Sequence, residues 1–103
     1  MDQEEQALVE YQHARQQIEE ELDALMRFKR QAEQATNDTF AEMQQMVQRF
    51  GETNEPMDRA RHELSRLEEN FFSELDREKR AILLKEEEVE QVYRQKLQEQ
   101  NKP

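Results

Sequence analysis

Gly51 is the only glycine in this chain of 103 residues, and Pro56 is one of two prolines. Both stand near the midpoint, in "VQRFGETNEPMD" (47–58). From Asp2 to Phe50 there is no glycine or proline, and from Met57 to Lys102 there is none again. Two uninterrupted arms of this length suit two helices, each of roughly 70 Å at about 1.5 Å per residue. Gly51 can end the first helix in the left-handed conformation. Thr53 or Asn54 can cap the second, and Pro56 is tolerated in its first turn. The expected organisation is a single helical-hairpin domain over residues 1–103. Helix 1 covers about 3–50, a turn 51–55 and helix 2 about 56–100.

Each arm carries an apolar stripe with the alternating spacing of three and four that a coiled-coil seam requires. In the first arm the stripe is Ile18, Leu22, Leu25, Lys29, Ala32, Thr36, Phe40, Met43, Val47 and Phe50. In the second it is Met57, Ala60, Leu64, Leu67, Phe71, Leu75, Glu78, Ile82, Lys85 and Val89. Folding the arms antiparallel sets Phe50 against Met57, Val47 against Ala60 and Met43 against Leu64. It also sets Phe40 against Leu67, Thr36 against Phe71, Leu25 against Ile82 and Ile18 against Val89. Lys29 faces Glu78, and Lys85 lays its stem beside Leu22. Both stripes contain two consecutive steps of four, at 32–36–40 and 67–71–75. Paired helices are expected to share such a stutter at one level, because it locally unwinds the supercoil.

The fold class read from this pattern is all-α, an antiparallel two-helix hairpin that completes a helical bundle with a partner. An antiparallel pair of unbroken helices from two chains would satisfy the same pairing, but Gly51 and Pro56 argue for a turn. The segment "QATNDTF" (34–40) concentrates poor helix formers, and Thr39 followed by Glu42 is a capping-box pattern. A kink is therefore expected near residues 36–39.

Charged residues make up 39% of the chain and hydrophobic ones 34%, with no tryptophan. A broad globular core is not expected from such a composition; long helices with a narrow stripe are. The net charge of -10 opposes nucleic acid and anionic membranes, which need electropositive surfaces. No apolar run is long enough for membrane insertion. The N-terminal "MDQEEQALVEYQ" lacks the layout of a cleaved signal peptide. Zero cysteines exclude disulfides and thiolate metal sites. Cytoplasmic localisation is expected, with export by a route needing no cleaved signal left open.

No catalytic constellation emerges. His13 and His62 are the only histidines, and only His13 has a Glu-x-x-His half-motif, from Glu10. Di-metal carboxylate bundles need such motifs on facing helices. Runs such as "KEEEVE" (85–90) read as solvated acidic faces, because catalysis needs a pocket that perturbs pKa values. Ser65 and Ser73 lack the partners of a nucleophile, and no glycine-rich phosphate loop exists. The expectation is a protein that is not an enzyme and uses no cofactor or metal.

Apolar residues outside the stripes carry the functional expectation. Met26 and Phe28 flank the first, and Phe72, Leu83, Leu84 and Val92 flank the second. Two helices cannot enclose them, so they are candidates for partner binding. Ala24 and Ala81 would permit close approach of a further helix.

With an acidic, cysteine-free chain, two long helices and Arg49-Phe50-Gly51 at the turn, the protein resembles the WXG-type, early-secreted-antigen-like helical hairpins of type VII secretion. More narrowly it resembles the small helical partners of LXG-domain toxins. The family's turn carries Trp-x-Gly; here phenylalanine directly precedes the glycine. Its export signal is an aromatic followed four residues later by an acid near the C-terminus. Tyr93 followed by Leu97 lacks it, whereas Phe72 and Asp76 fit the spacing in mid-helix. The resemblance implies a targeting factor or chaperone that binds the helical N-terminal LXG region of a secreted toxin, alone or with a second small helical protein. The alternative is a structural coiled coil self-associating into a homodimeric four-helix bundle.

Overall fold

The computed structural model describes residues 2–50 and 55–101, without the side chain of Pro56. Two helices form an antiparallel hairpin: α1, Gln3–Phe50, and α2, Glu55–Gln100. Gly51 and the side chain of Pro56, to which the turn was assigned, lie outside the described residues. Asp2 starts α1, accepting a hydrogen bond from the Glu5 amide at its Oδ1 (2.8 Å). That satisfies one of the free amides of the first turn, where Glu4 and Glu5 also suit the helix dipole. At the other end, the Asn101 amide donates to the Leu97 carbonyl (3.2 Å).

α1 is helical without interruption through residues 34–40. Thr36 and Thr39 donate their hydroxyls to the carbonyls of Ala32 and Ala35, each at 2.9 Å. A threonine that bonds back to its own helix is not capping a new one. Gln34 donates to Asp38 across one turn (3.0 Å). These local bonds let four poor helix formers stay helical, so the Thr39–Glu42 pattern does not act as a break.

The chain divides into two units. A terminal unit joins Met1–Leu25 to Arg77–Pro103, and a central unit comprises Met26–Asp76. In the terminal unit Ala7, Ile18 and Ile82 are buried; in the central unit Leu75 is.

The expected stripe of α1 is nearly the observed one. Ile18 is buried and Leu22, Leu25, Lys29, Ala32, Thr36, Phe40, Met43 and Val47 are half-buried. Phe50 departs from it, at 75% exposed. The stripe of α2 needs larger correction. Met57, Leu64, Phe71, Leu75, Ile82 and Val89 are inward as expected, but Ala60, Leu67, Glu78 and Lys85 are exposed. Arg61, Glu68 and Glu86 are half-buried instead. For Ala60, Leu67 and Lys85 the difference is one residue, about 100° of rotation on a helix, whereas Glu78 is flanked by exposed residues. Long charged side chains can lie along an apolar seam by their stems, so charge did not keep them out.

Inward positions 64, 68, 71 and 75 of α2 therefore alternate by four and three. The stutter expected at 67–71–75 is absent there. Phe50, Ala60 and Leu67, each assigned to the seam, are exposed. Phe71, expected opposite Thr36, meets the ring of Phe28, about two turns from Thr36 along α1. Lys29, expected against Glu78, sits over the ring of Phe72 at 6.0 Å. Lys85 is exposed, and its ammonium reaches Glu21 at 3.7 Å.

Candidate functional site

In the central unit, the apolar residues that flank the stripes gather around one aromatic cluster. The rings of Phe28 and Phe71 are 5.5 Å apart and inclined by 54°. Phe71 and Phe72 meet edge to face at 5.6 Å. Such tilted contacts match the quadrupoles of the rings. The ammonium of Lys29 over Phe72 adds a cation–π contact. Phe28 is still 52% exposed, and Met26 and Leu67 are exposed in the same unit. Phe72 is half-buried and Asp76 exposed, four residues apart on one face of α2. Ser65, Glu68, Glu69 and Ser73 line a shallow depression with them.

Leu83, Leu84 and Val92 belong to the terminal unit and are exposed there, as are Leu8 and Val9. The six residues singled out as a partner-binding zone are thus divided between the units: Met26, Phe28 and Phe72 in one, Leu83, Leu84 and Val92 in the other. Ala24 and Ala81 are exposed.

Sequence reasoning missed the polar and aromatic lock of the terminal unit. Tyr11 and Tyr93 stack with centroids 4.4 Å apart and planes within 15°. Arg15 donates to the Tyr11 hydroxyl at 3.2 Å and lies 3.7 Å from Glu86 and 3.5 Å from Glu90. The Tyr11 hydroxyl, and then the charge interactions around it, hold the guanidinium pKa above its ordinary value. Lys96 donates to Glu10. That hydrogen bond, followed by the lysine's charge, holds the Glu10 carboxyl below its ordinary value of 4.5. The signal was available: continuing the stripes outward by their steps of three and four from Ile18 and Val89 reaches Tyr11 and Tyr93, the only tyrosines.

Beside this lock lies a groove of about 310 Å³ lined by Ala7, Tyr11, Ala14, Val89, Val92 and Tyr93, with Glu10, Glu88 and Lys96 at its edges. His13 is exposed, with its Nε2 3.3 Å from the Gln17 amide nitrogen. His62 is exposed in the central unit, in a depression with Glu63, Ser65, Arg66 and Glu69. Among the described residues, no group of three or more His, Asp or Glu side chains could hold a metal ion. No described helix is long and apolar enough to cross a membrane.

The fold defines a class, the small all-α antiparallel helical hairpins, and this is the general architecture of the WXG-type proteins. No protein-family model, no curated protein and no solved structure matches the chain, so the likeness is one of architecture.

Proposed function

We propose that this chain is a non-enzymatic helical interaction protein whose hairpin completes a bundle with helices of another protein. One observation carries the reading. Among the described residues, ten large hydrophobic side chains are exposed while four hydrophobic residues are buried. Isolated exposed apolar residues are ordinary, but this many on a two-helix hairpin leave apolar surface for a partner to cover. Phe28 at 52% exposed and Leu84 at 59% are the most open of the candidate docking residues.

The resemblance gives the partner a class. It is the helical N-terminal LXG region of a secreted toxin, which this protein binds in the cytoplasm as a targeting factor or chaperone for type VII secretion. Phe72 and Asp76 then offer two roles, docking and export signal, which variants separate. Phe72→Ala removes both, whereas Asp76→Asn leaves the docking ring in place and lowers export alone.

Co-expression with the product of the adjacent gene tests the reading. A stable complex that weakens about tenfold or more in a Phe28→Ala/Leu84→Ala variant supports it, since central apolar anchors dominate such interfaces. A stable homodimer that ignores a neighbouring toxin would overturn it.

A further inference from the structure

The groove beside the tyrosine pair does not end at Lys96. A second depression, of about 340 Å³, is lined by Gln3, Gln6, Ala7, Glu10, Lys96, Glu99 and Gln100. The two share Ala7, Glu10 and Lys96, so they adjoin within the terminal unit as two parts of one groove, with the Lys96–Glu10 hydrogen bond at their junction. Its α2 edge runs from Glu88 to Gln100, about 18 Å at 1.5 Å per residue, which matches about three turns of a helix. The floor is apolar and partly small, with Ala7 and Ala14 on one side and Val89 and Val92 on the other.

The charges along this groove are unevenly committed. Lys96 is held by Glu10, and Lys85, further along α2, is held by Glu21. Arg15 is held between Glu86 and Glu90. Arg94, also on this stretch, pairs with Glu90 one turn away on α2 at 3.8 Å. Glu88 and Glu99, both exposed, have no ion pair among the described residues. At the same end, the side-chain oxygen of Gln100 is buried without a hydrogen-bond partner. A rotation of that side chain would offer the acceptor to a donor in the groove.

We propose that this groove seats one amphipathic helix of a partner protein, with lysine or arginine flanking its apolar stripe. The proposal rests on the reading of the chain as a helix-binding protein and adds a second seat, lined by neither Phe28 nor Leu84, and the chemistry of the helix that fills it. A second copy of this chain is the poorer occupant. It would bring a molecule of net charge -10 against an acidic rim, and like-charge juxtaposition selects against a partner.

The test uses the full chain and two synthetic probes. One is an amphipathic peptide of leucine, alanine and lysine, about 18 residues long so that it exceeds three turns. The other replaces every lysine by glutamate. Methyl and amide NMR shifts report where each binds. The lysine peptide is expected to shift Ala7, Ala14, Val89 and Val92 saturably. A Glu88→Lys/Glu99→Lys variant, at exposed positions, is expected to weaken it about tenfold, from two lost rim attractions and the new repulsion. Circular dichroism of that variant should be unchanged.

Absence of saturable shifts in the groove overturns the proposal. So does equal binding of both peptides, or shifts centred on Phe28, Phe71 and Phe72. Concentration-dependent self-association abolished by Val92→Glu would assign the groove to a second copy and overturn it too. The two readings fail separately. If the adjacent gene's product binds and the charge-reversed variant binds it equally well, the function stands and this groove falls. If the lysine peptide binds and that product does not, the toxin reading falls alone.

Discussion

Ala7, Ile18 and Ile82 give the terminal unit three of the four buried hydrophobic residues; the central unit has Leu75. The terminal unit also holds the cross-helix ion pairs of Arg15, Lys85 and Lys96 and a close tyrosine stack. The central unit relies on three phenylalanines, with Phe28 half out in solvent and the Phe28–Phe71 pair wider and tilted. Both units are built from the same two helices, with similar amphipathic patterns. The lesson is that a narrow stripe supports only a thin core, and what surrounds the stripe decides how firmly each stretch is held. In the terminal unit ion pairs and a tyrosine stack tie one helix to the other, and in the central unit an aromatic cluster does, while each unit leaves five large hydrophobic side chains exposed.

The largest expected effect tests the thin core of the terminal unit. Ile82→Ala removes a side chain that is 7% exposed and should destabilise by about 2–4 kcal/mol in urea unfolding. A loss of only a few tenths would mean the buried position contributes little and would break the contrast. Next come the aromatic pairs. A double-mutant cycle on Tyr11 and Tyr93 should give a coupling of about 1 kcal/mol, and one on Phe28 and Phe71 about 0.5 kcal/mol, for the wider and more exposed pair. The reverse order would overturn the ranking of the units.

Smaller effects come from charge. Arg15→Ala should lower the melting temperature slightly, by an amount that shrinks as salt rises, since its carboxylate partners are partly exposed. Glu10 contributes with a definite sign. Its folded pKa lies below the unfolded value, so its stabilisation is complete above about 4.5 and is lost as pH falls through the folded value. Glu10→Gln should therefore make the acid limb of the stability profile shallower. The smallest effect is the most pointed. Leu67→Lys should change stability by no more than about 0.5 kcal/mol, because Leu67 is 63% exposed. A core position would not tolerate it.

Much of this was legible in the sequence for a physical reason. Long arms free of glycine and proline commit to helix locally, and nine of the ten inward positions assigned to α1 follow from its spacing. The aromatic residues of the candidate surface were visible as apolar residues off the stripe. Their contacts were not: the ring of Phe71 meets that of Phe28, because large rings reach along the helix axis to neighbours that level-by-level pairing ignores. The tyrosine lock escaped because the stripe was not carried to the ends of the helices. At the segment where a kink was expected α1 stays helical, and Thr36 and Thr39 satisfy their hydroxyls on the carbonyls of Ala32 and Ala35.

The sequence by itself determined two helices and their antiparallel return, since both follow from local backbone preference and an apolar stripe on each arm. Tertiary structure decided which strip of α2 faces inward. Leu67 and Glu68 are one residue apart, and hydrophobicity alone favours Leu67 for the seam. The structure turns Glu68 toward it and leaves Leu67 exposed. That choice depends on how side chains of both helices fit together along the whole seam, where a charged residue loses little by laying its stem against an apolar neighbour. Local pattern fixes the stripe to within one residue, and only packing against the other helix removes the last 100° of freedom.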